Sequence, residues 1–299
     1  MKNYVLLVET GADIPTELAD RFGIYQVPMH VSFGTETRDD GTIPIHELFS
    51  YYKKTGMLPK TSGCTPGDFE KIFDQIHAEH PDSHIIHLAY SAATTCSYQS
   101  AIIAAEGRTN ITSIDTKHVS AGQTITALAV RQYIQIHPDC TPEQIEEAAV
   151  KIRSSCHMAF FPGDLAYLKA GGRVSNAAYL GAKILSLNPL IEINDGLLQA
   201  TKKYRGSMQK VAPKLLQDYA ADKKLDKRLL VFVYSEGLDE TLKHTLTANA
   251  NQLGFEKIFW IRTGCVVSSH SGPGAFGIVG FTEDAALDCL FSRSELKKE

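Results

Sequence analysis

A chain of 299 residues with 43% hydrophobic content has enough apolar material for one large or two medium domains, each with its own core. A net charge of −4 argues against a nucleic-acid partner. There is no 18-residue apolar run, the opening Met-Lys-Asn-Tyr-Val-Leu-Leu-Val-Glu is too short for a signal peptide, and the six cysteines form no C-x-x-C pair or zinc spacing, so a cytoplasmic protein with reduced thiols is expected.

Tyr4–Val8 reads as a buried strand, followed by a helix over Thr16–Phe22 with Pro15 at its first turn, and by a second strand over Ile24–Val31. Thr42–Thr55 reads as a helix with Thr42 as N-cap and Gly56 just past its end. Thr65-Pro66-Gly67-Asp68 opens another: Thr65 caps, Pro66 fits the first turn and Asp68 complements the dipole. Phe69, Ile72, Phe73 and Ile76 then fall on one helical face. His84–Leu88 is a short strand, Tyr90–Ser97 a polar loop and Tyr98–Glu106 a helix, before a strand over Asn110–Ile114 and a long apolar helix over Ala121–Ile136. This alternation predicts an α/β fold with a largely parallel sheet and helices on both faces. Ligands of such sheets gather at the carboxyl ends of strands, where the loops after Val8, Leu88 and Ile114 lie.

His137-Pro-Asp-Cys-Thr-Pro142 breaks the pattern, a short helix follows over Glu143–Ile152, and the strand His157–Phe161 opens a second domain, giving domains 1–156 and 157–299. Asp164–Ala170 and Asn176–Leu187 read as helices. Leu190–Asn194 and Leu197–Tyr204 flank Asp195-Gly196, a two-residue hairpin signal, so the C-terminal α/β domain should carry a mixed or largely antiparallel sheet. Helices over Ser207–Ala221 and Leu238–Leu253 alternate with strands over Leu229–Tyr234 and Lys257–Arg262. Cys265–Phe281 begins as a β-rich run, breaks at Ser269-His270-Ser271, and returns a last strand. A terminal helix over Thr282–Phe291 and a frayed tail, Ser294–Glu299, close the chain.

The chain has no G-x-S-x-G elbow, Walker A loop, H-E-x-x-H or dinucleotide loop. His77, His80, His84 and His87 crowd one segment without a third and fourth ligand nearby, so no metal is expected. Two hydroxyl-rich loops, Thr61–Pro66 and Ser91–Ser97, precede helices, whose unpaired N–H groups favour anions; ordinary N-capping would use the same residues. His270 stands among Ser268, Ser269 and Ser271, ahead of several glycines, and reads either as a satisfied core histidine or as part of a site. Arg173, after Gly171-Gly172, and Arg205, at the end of the hairpin, are either solvated charges or a basic patch for an acidic or phosphorylated partner.

Leu168-Lys-Ala-Gly-Gly-Arg173-Val-Ser175 resembles the L-K-x-G-G-R-I-S signature of the DegV family, bacterial fatty-acid-binding proteins. In order along the chain, Thr61-Ser62 before a proline-opened helix, Tyr98-Gln-Ser-Ala101, Asp115 at a strand end, Lys-Lys-Tyr-Arg205-Gly and His270-Ser-Gly-Pro-Gly-Ala resemble it too. Glu9-Thr10 stands where the family usually has an aspartate–serine pair, and Thr94-Thr95-Cys96-Ser97 where it has L-S-G-T. The resemblance implies a DegV-like two-domain fold with a long-chain fatty acid between the domains and no cofactor. It implies a carboxylate held by Thr61, Thr95 and His270, with Ser62 and the Cys96 amide contributing. It further implies that the protein is a carrier: a separate ATP-dependent fatty acid kinase, engaged through Arg173 and Arg205, makes the acyl-phosphate for phospholipid synthesis. Ligand entry would involve transient contact with a membrane surface. The rival readings are a hydrolase or transferase for a small carboxylate or phosphate, with His270 as general base, and a ligand-free interaction module.

Overall fold

The computed structural model describes residues 3–174 and 187–283. In β1 (Tyr4–Glu9) all six residues are buried, as a strand covered on both faces must be. A 3-10 turn, Thr10–Ala12, leads to α1 (Thr16–Phe22) and β2 (Ile24–Val27). The single strand expected over Ile24–Val31 is two strands. Pro28 lacks the N–H that a ladder needs, and after it β3 (His30–Phe33) leaves for another sheet, with β4 (Glu36–Asp39). The next helix, α2 (Ile45–Thr55), begins at a Pro44 cap. Thr42, expected as the cap, instead donates its hydroxyl to Asp39 O at 2.7 Å and closes a turn. β5 (Lys60–Ser62), α3 (Pro66–Glu79), β6 (His84–Ala89), α4 (Ser97–Ala104), β7 (Ile111–Asp115), α5 (Ser120–Ile136) and α6 (Pro142–Ser155) complete the first half.

The second half runs β8 (Cys156–Phe161), α7 (Leu165–Gly171), β9 (Leu187–Asn194), β10 (Leu197–Arg205), α8 (Met208–Asp222), β11 (Leu230–Tyr234), α9 (Glu240–Gln252), β12 (Ile258–Arg262), α10 (Cys265–Ser271) and β13 (Phe276–Phe281). The helix expected over Asn176–Leu187 lies outside the described residues except Leu187, which begins β9. The expected terminal helix lies outside them beyond Glu283, as does the whole Ser294–Glu299 tail.

Among the described residues three sheets result. The first, in the order β2-β1-β6-β7, is parallel throughout. The second, β10-β9-β8-β13-β11-β12, is mixed: only β11 and β12 run parallel, and the last strand among the described residues lies in its middle. The third, β4-β3-β5, is a small antiparallel sheet absent from the expectation, because Glu36-Thr37-Arg38-Asp39 and Lys60-Thr61-Ser62 carry no apolar alternation.

One core cluster is shared between the two large sheets: Leu6, Val8, Ile86 and Leu88 pack with α5 and α6 and continue into Met158, Phe160, Ile191 and Val231. The opposite face of the parallel sheet packs Leu7, Ile85, Phe69 and Phe73. That of the mixed sheet packs Phe161, Phe232 and Phe276 against α8 and α9. No helix among the described residues is long and apolar enough to cross a membrane.

Candidate functional site

The stretch from Cys265 does not start as a strand. Cys265–Ser271 is α10, although Val266 and Val267 favour extended structure. Its first amides are taken by carboxylates from the far end of the sequence. Asp13 Oδ1 accepts from Gly264 N at 2.6 Å, and Asp40 Oδ1 accepts from Cys265 N at 3.0 Å and Val266 N at 3.3 Å. Those N–H groups have no partner within the helix, so two acids supplied by the first half fix where it begins. Burial pushes both carboxyl pKa values up, and hydrogen bonds from Ser120 and Gly264 (to Asp13), and from the Val266 N–H, Thr10 and the Cys265 N–H (to Asp40), work against that.

Fixing the start of α10 places His270 near its end, where Nε2 lies 2.8 Å from Oγ1 of Thr61 on β5. These side chains are 209 positions apart in sequence. Behind the ring sits Gly171, the last residue of α7; a Cβ there would stand 2.1 Å from Nδ1. Nδ1 is buried and has no hydrogen-bond partner among the described residues. An orphaned buried N–H costs more than an orphaned lone pair, which favours the proton on Nε2. His270 then donates to Thr61, and the Thr61 hydroxyl is free to donate onward.

The second hydroxyl loop closes on the same place. Ser97 Oγ accepts from Cys64 N at 3.1 Å and lies 3.1 Å from Thr95 Oγ1. The approach depends on Gly63, where a Cβ would come within 2.4 Å of Thr95 Oγ1. Thr61, Ser62, Thr95 and His270 all line one cavity. The apolar walls come from the mixed sheet, α7 and α10, among them Met158, Phe160, Leu168, Leu198, Val233 and Val266, and loops at the carboxyl edge of the parallel sheet complete the lining. Arg173, expected on a partner-binding surface, also lines this cavity; it is exposed and donates to Gly171 O at 2.6 Å. The structure does not bring Cys96 and Arg205 into the cavity. Cys96 is the exposed N-cap of α4. Arg205 lies in a separate depression with Lys202, Lys203, Lys210 and Lys214. Sequence reasoning missed Asp13, Asp40 and Ser120, although Asp13 and Ser120 sit just past the carboxyl ends of β1 and β7, where the parallel sheet leads one to look.

Burial, followed by the nearby Arg173 guanidinium, pushes the His270 pKa down to about 4. The ring is therefore neutral at pH 7. Between the unfolded value near 6.5 and about 4 the unfolded chain takes up a proton that the folded one does not, so His270 lowers stability as pH falls through that window. An imidazole carbon NMR titration of the ligand-free chain is expected to give a midpoint near pH 4. A midpoint at the solvent value would contradict the closed geometry around the ring.

The carboxyl end of β6 is anchored by a second polar cluster. Glu9 and His87 are both 0% exposed, with Glu9 Oε1 3.3 Å from His87 Nε2. Glu9 Oε2 accepts from Tyr90 N at 2.8 Å and Gln123 Nε2 at 2.7 Å. The other clustered histidines have their own partners: His77 meets Asn110, His80 meets Tyr25 and His84 meets Thr112. Among the described residues no three His, Cys, Asp or Glu side chains gather as metal ligands would.

The model of the DegV family, described as uncharacterised proteins, matches residues 4–283. A DegV domain-containing protein of Caldanaerobacter subterraneus is 25% identical over 93% of this chain and 98% of its own length. Protein DegV of Bacillus subtilis is 24% identical over 92% and 98%. Among solved structures, a DegV family protein from Thermus thermophilus, described as fatty-acid-binding, superposes with a TM-score of 0.83 at 24% identity, covering 94% of this chain and 100% of that one. A DegV family protein from Eubacterium eligens loaded with heptadecanoic acid gives 0.80 at 20% identity over 94% and 100%. With its parallel four-stranded sheet, its mixed six-stranded sheet and a family match over nearly its whole length, the chain belongs to the DegV family.

Proposed function

We propose that this chain binds a long-chain fatty acid in the cavity, between its two halves, with the carboxylate at Thr61 and His270 and the tail along the apolar wall of the mixed sheet. The observation that carries this reading is the Thr61–His270 pair in a cavity whose lining is mostly apolar. About fifteen buried methylenes at about 0.8 kcal/mol each would contribute ~12 kcal/mol gross, before the cost of association. The tail supplies most of the affinity, and the polar end decides which way round the ligand lies. A carboxylate buried without donors would be costly; Thr61, Thr95 and Ser62, backed by His270, are the donors.

The protein acts as a carrier, presenting the carboxylate to a separate ATP-dependent kinase that forms the acyl-phosphate for phospholipid synthesis. Arg173, exposed and lining the cavity, and Arg205 in its basic depression suit a partner with acidic or phosphorylated groups. A histidine whose pKa lies near 4, hydrogen-bonded to a threonine, is a poor general base at neutral pH, which disfavours the hydrolase reading.

Organic extraction and mass spectrometry of the purified protein test the ligand. A fatty acid in near-stoichiometric amount is expected, and Thr61→Ala and His270→Ala are each expected to weaken its binding about tenfold with the far-UV spectrum unchanged. An empty protein, or full retention in both variants, would contradict the reading.

A further inference from the structure

Tyr90 was not among the residues that sequence reasoning placed in the site, yet it lines the same cavity. It is the first residue past β6, and its position is unusually constrained. Its N–H is held by Glu9, which is itself held by His87 and Gln123. Its ring lies over Gly11, where a Cβ would come within 3.0 Å of Cε2 and 2.7 Å of Met29 Sδ, so the ring has taken space that only a glycine leaves. It touches both the core cluster shared between the large sheets and the cluster on the other face of the parallel sheet. Its hydroxyl meets no hydrogen-bond partner among the described residues, nor is it one of the polar atoms sealed away from solvent. A tyrosine whose role is packing alone usually has its hydroxyl satisfied. Here a donor is left facing space that the protein does not fill.

We propose that Tyr90 is a specificity-determining residue of the cavity: its ring fixes the width available to an acyl chain, and its hydroxyl donates to the ligand. The inference rests on the fatty-acid reading. A ring packed over Gly11 that shares the cavity lining with Met158, Phe160 and Val233 favours a slim tail over a branched or bent one. Burial, reinforced by the nearby Asp13 and Glu9 carboxyls, holds the phenol pKa up, so the group remains a donor throughout the physiological range.

The test compares the affinities of a straight saturated, a cis-monounsaturated and a methyl-branched fatty acid of equal carbon number for the delipidated full chain and its variants. Tyr90→Ala is expected to shift the preference toward the branched and bent acids by about tenfold. Tyr90→Leu is expected to shift it the same way by less, and it serves if the alanine variant does not fold. Tyr90→Phe is expected to keep the order of preference and weaken all three acids about fivefold. An unchanged order in Tyr90→Ala and Tyr90→Leu overturns the width role, and unchanged affinities in Tyr90→Phe overturn the donor role. If the unmodified chain bound none of the acids, the fatty-acid reading would fall first, and this inference with it.

Discussion

Gly171→Ala is expected to lower fatty-acid affinity about thirtyfold, equivalent to ~2 kcal/mol, although residue 171 offers the ligand no side chain. The new methyl group would stand 2.1 Å from His270 Nδ1, a separation that no carbon–nitrogen contact tolerates. Both neighbours sit on packed helices, so the ring is the part that yields, and its bond to Thr61 is lost. The Thr61 hydroxyl would then have no fixed direction. The glycine's backbone angles are not in the left-handed region, so alanine adds bulk against one ring without backbone strain. Titration calorimetry on the delipidated protein measures the loss, and the unfolding midpoint without ligand should fall much less than in a core truncation. Wild-type affinity in this variant would mean that the imidazole is not clamped between Gly171 and Thr61.

The second large effect concerns stability. Glu9→Ala leaves His87 and Gln123 buried without their shared acceptor, and it frees the N–H of Tyr90. Breaking a buried pair from one side costs about 3–5 kcal/mol. The urea midpoint should fall accordingly. Glu9→Gln, which keeps an acceptor, should fall less. Burial pushes the Glu9 carboxyl pKa up, but the His87 charge and hydrogen bond, the Tyr90 N–H and Gln123 outweigh it and hold the value below the usual range. The stabilisation is thus complete above the unfolded carboxylate's pKa and is lost as pH falls through the folded one. The difference in midpoint between the parent chain and Glu9→Gln should therefore shrink on acidification below about pH 4.5. A constant difference would remove the charged form of Glu9 from the account.

The parts of the fold that were legible in the sequence are those fixed by local chemistry. Thr65-Pro66-Gly67-Asp68 announces α3 because each residue does a local job, and both halves of the capping box are present. Asp195 and Gly196 form the expected turn with φ of 48° and 83°. The alternation of strands and helices pointed to the carboxyl edge of the parallel sheet, and the loops found there supply Thr95, Ser120 and Tyr90 to the cavity. What stayed hidden depends on distant partners. Val266-Val267 reads as strand until Asp13 and Asp40 occupy the amides that begin a helix. The strand Ile24–Val31 reads as one until Pro28 hands its second half to another sheet. No periodicity joins Thr61 to His270, so their pairing came from the resemblance alone. The same resemblance put the Cys96 amide beside them, whereas Cys96 is exposed and outside the cavity lining.

The position of β13 has a consequence for biosynthesis. This strand, the last among the described residues, is inserted between β8, formed some 120 residues earlier, and β11. A polypeptide emerging N-terminus first therefore holds two unsatisfied strand edges until Phe281 has left the ribosome, and such edges invite pairing with other nascent chains. The half-finished molecule, rather than the finished one, is where a chaperone has work to do.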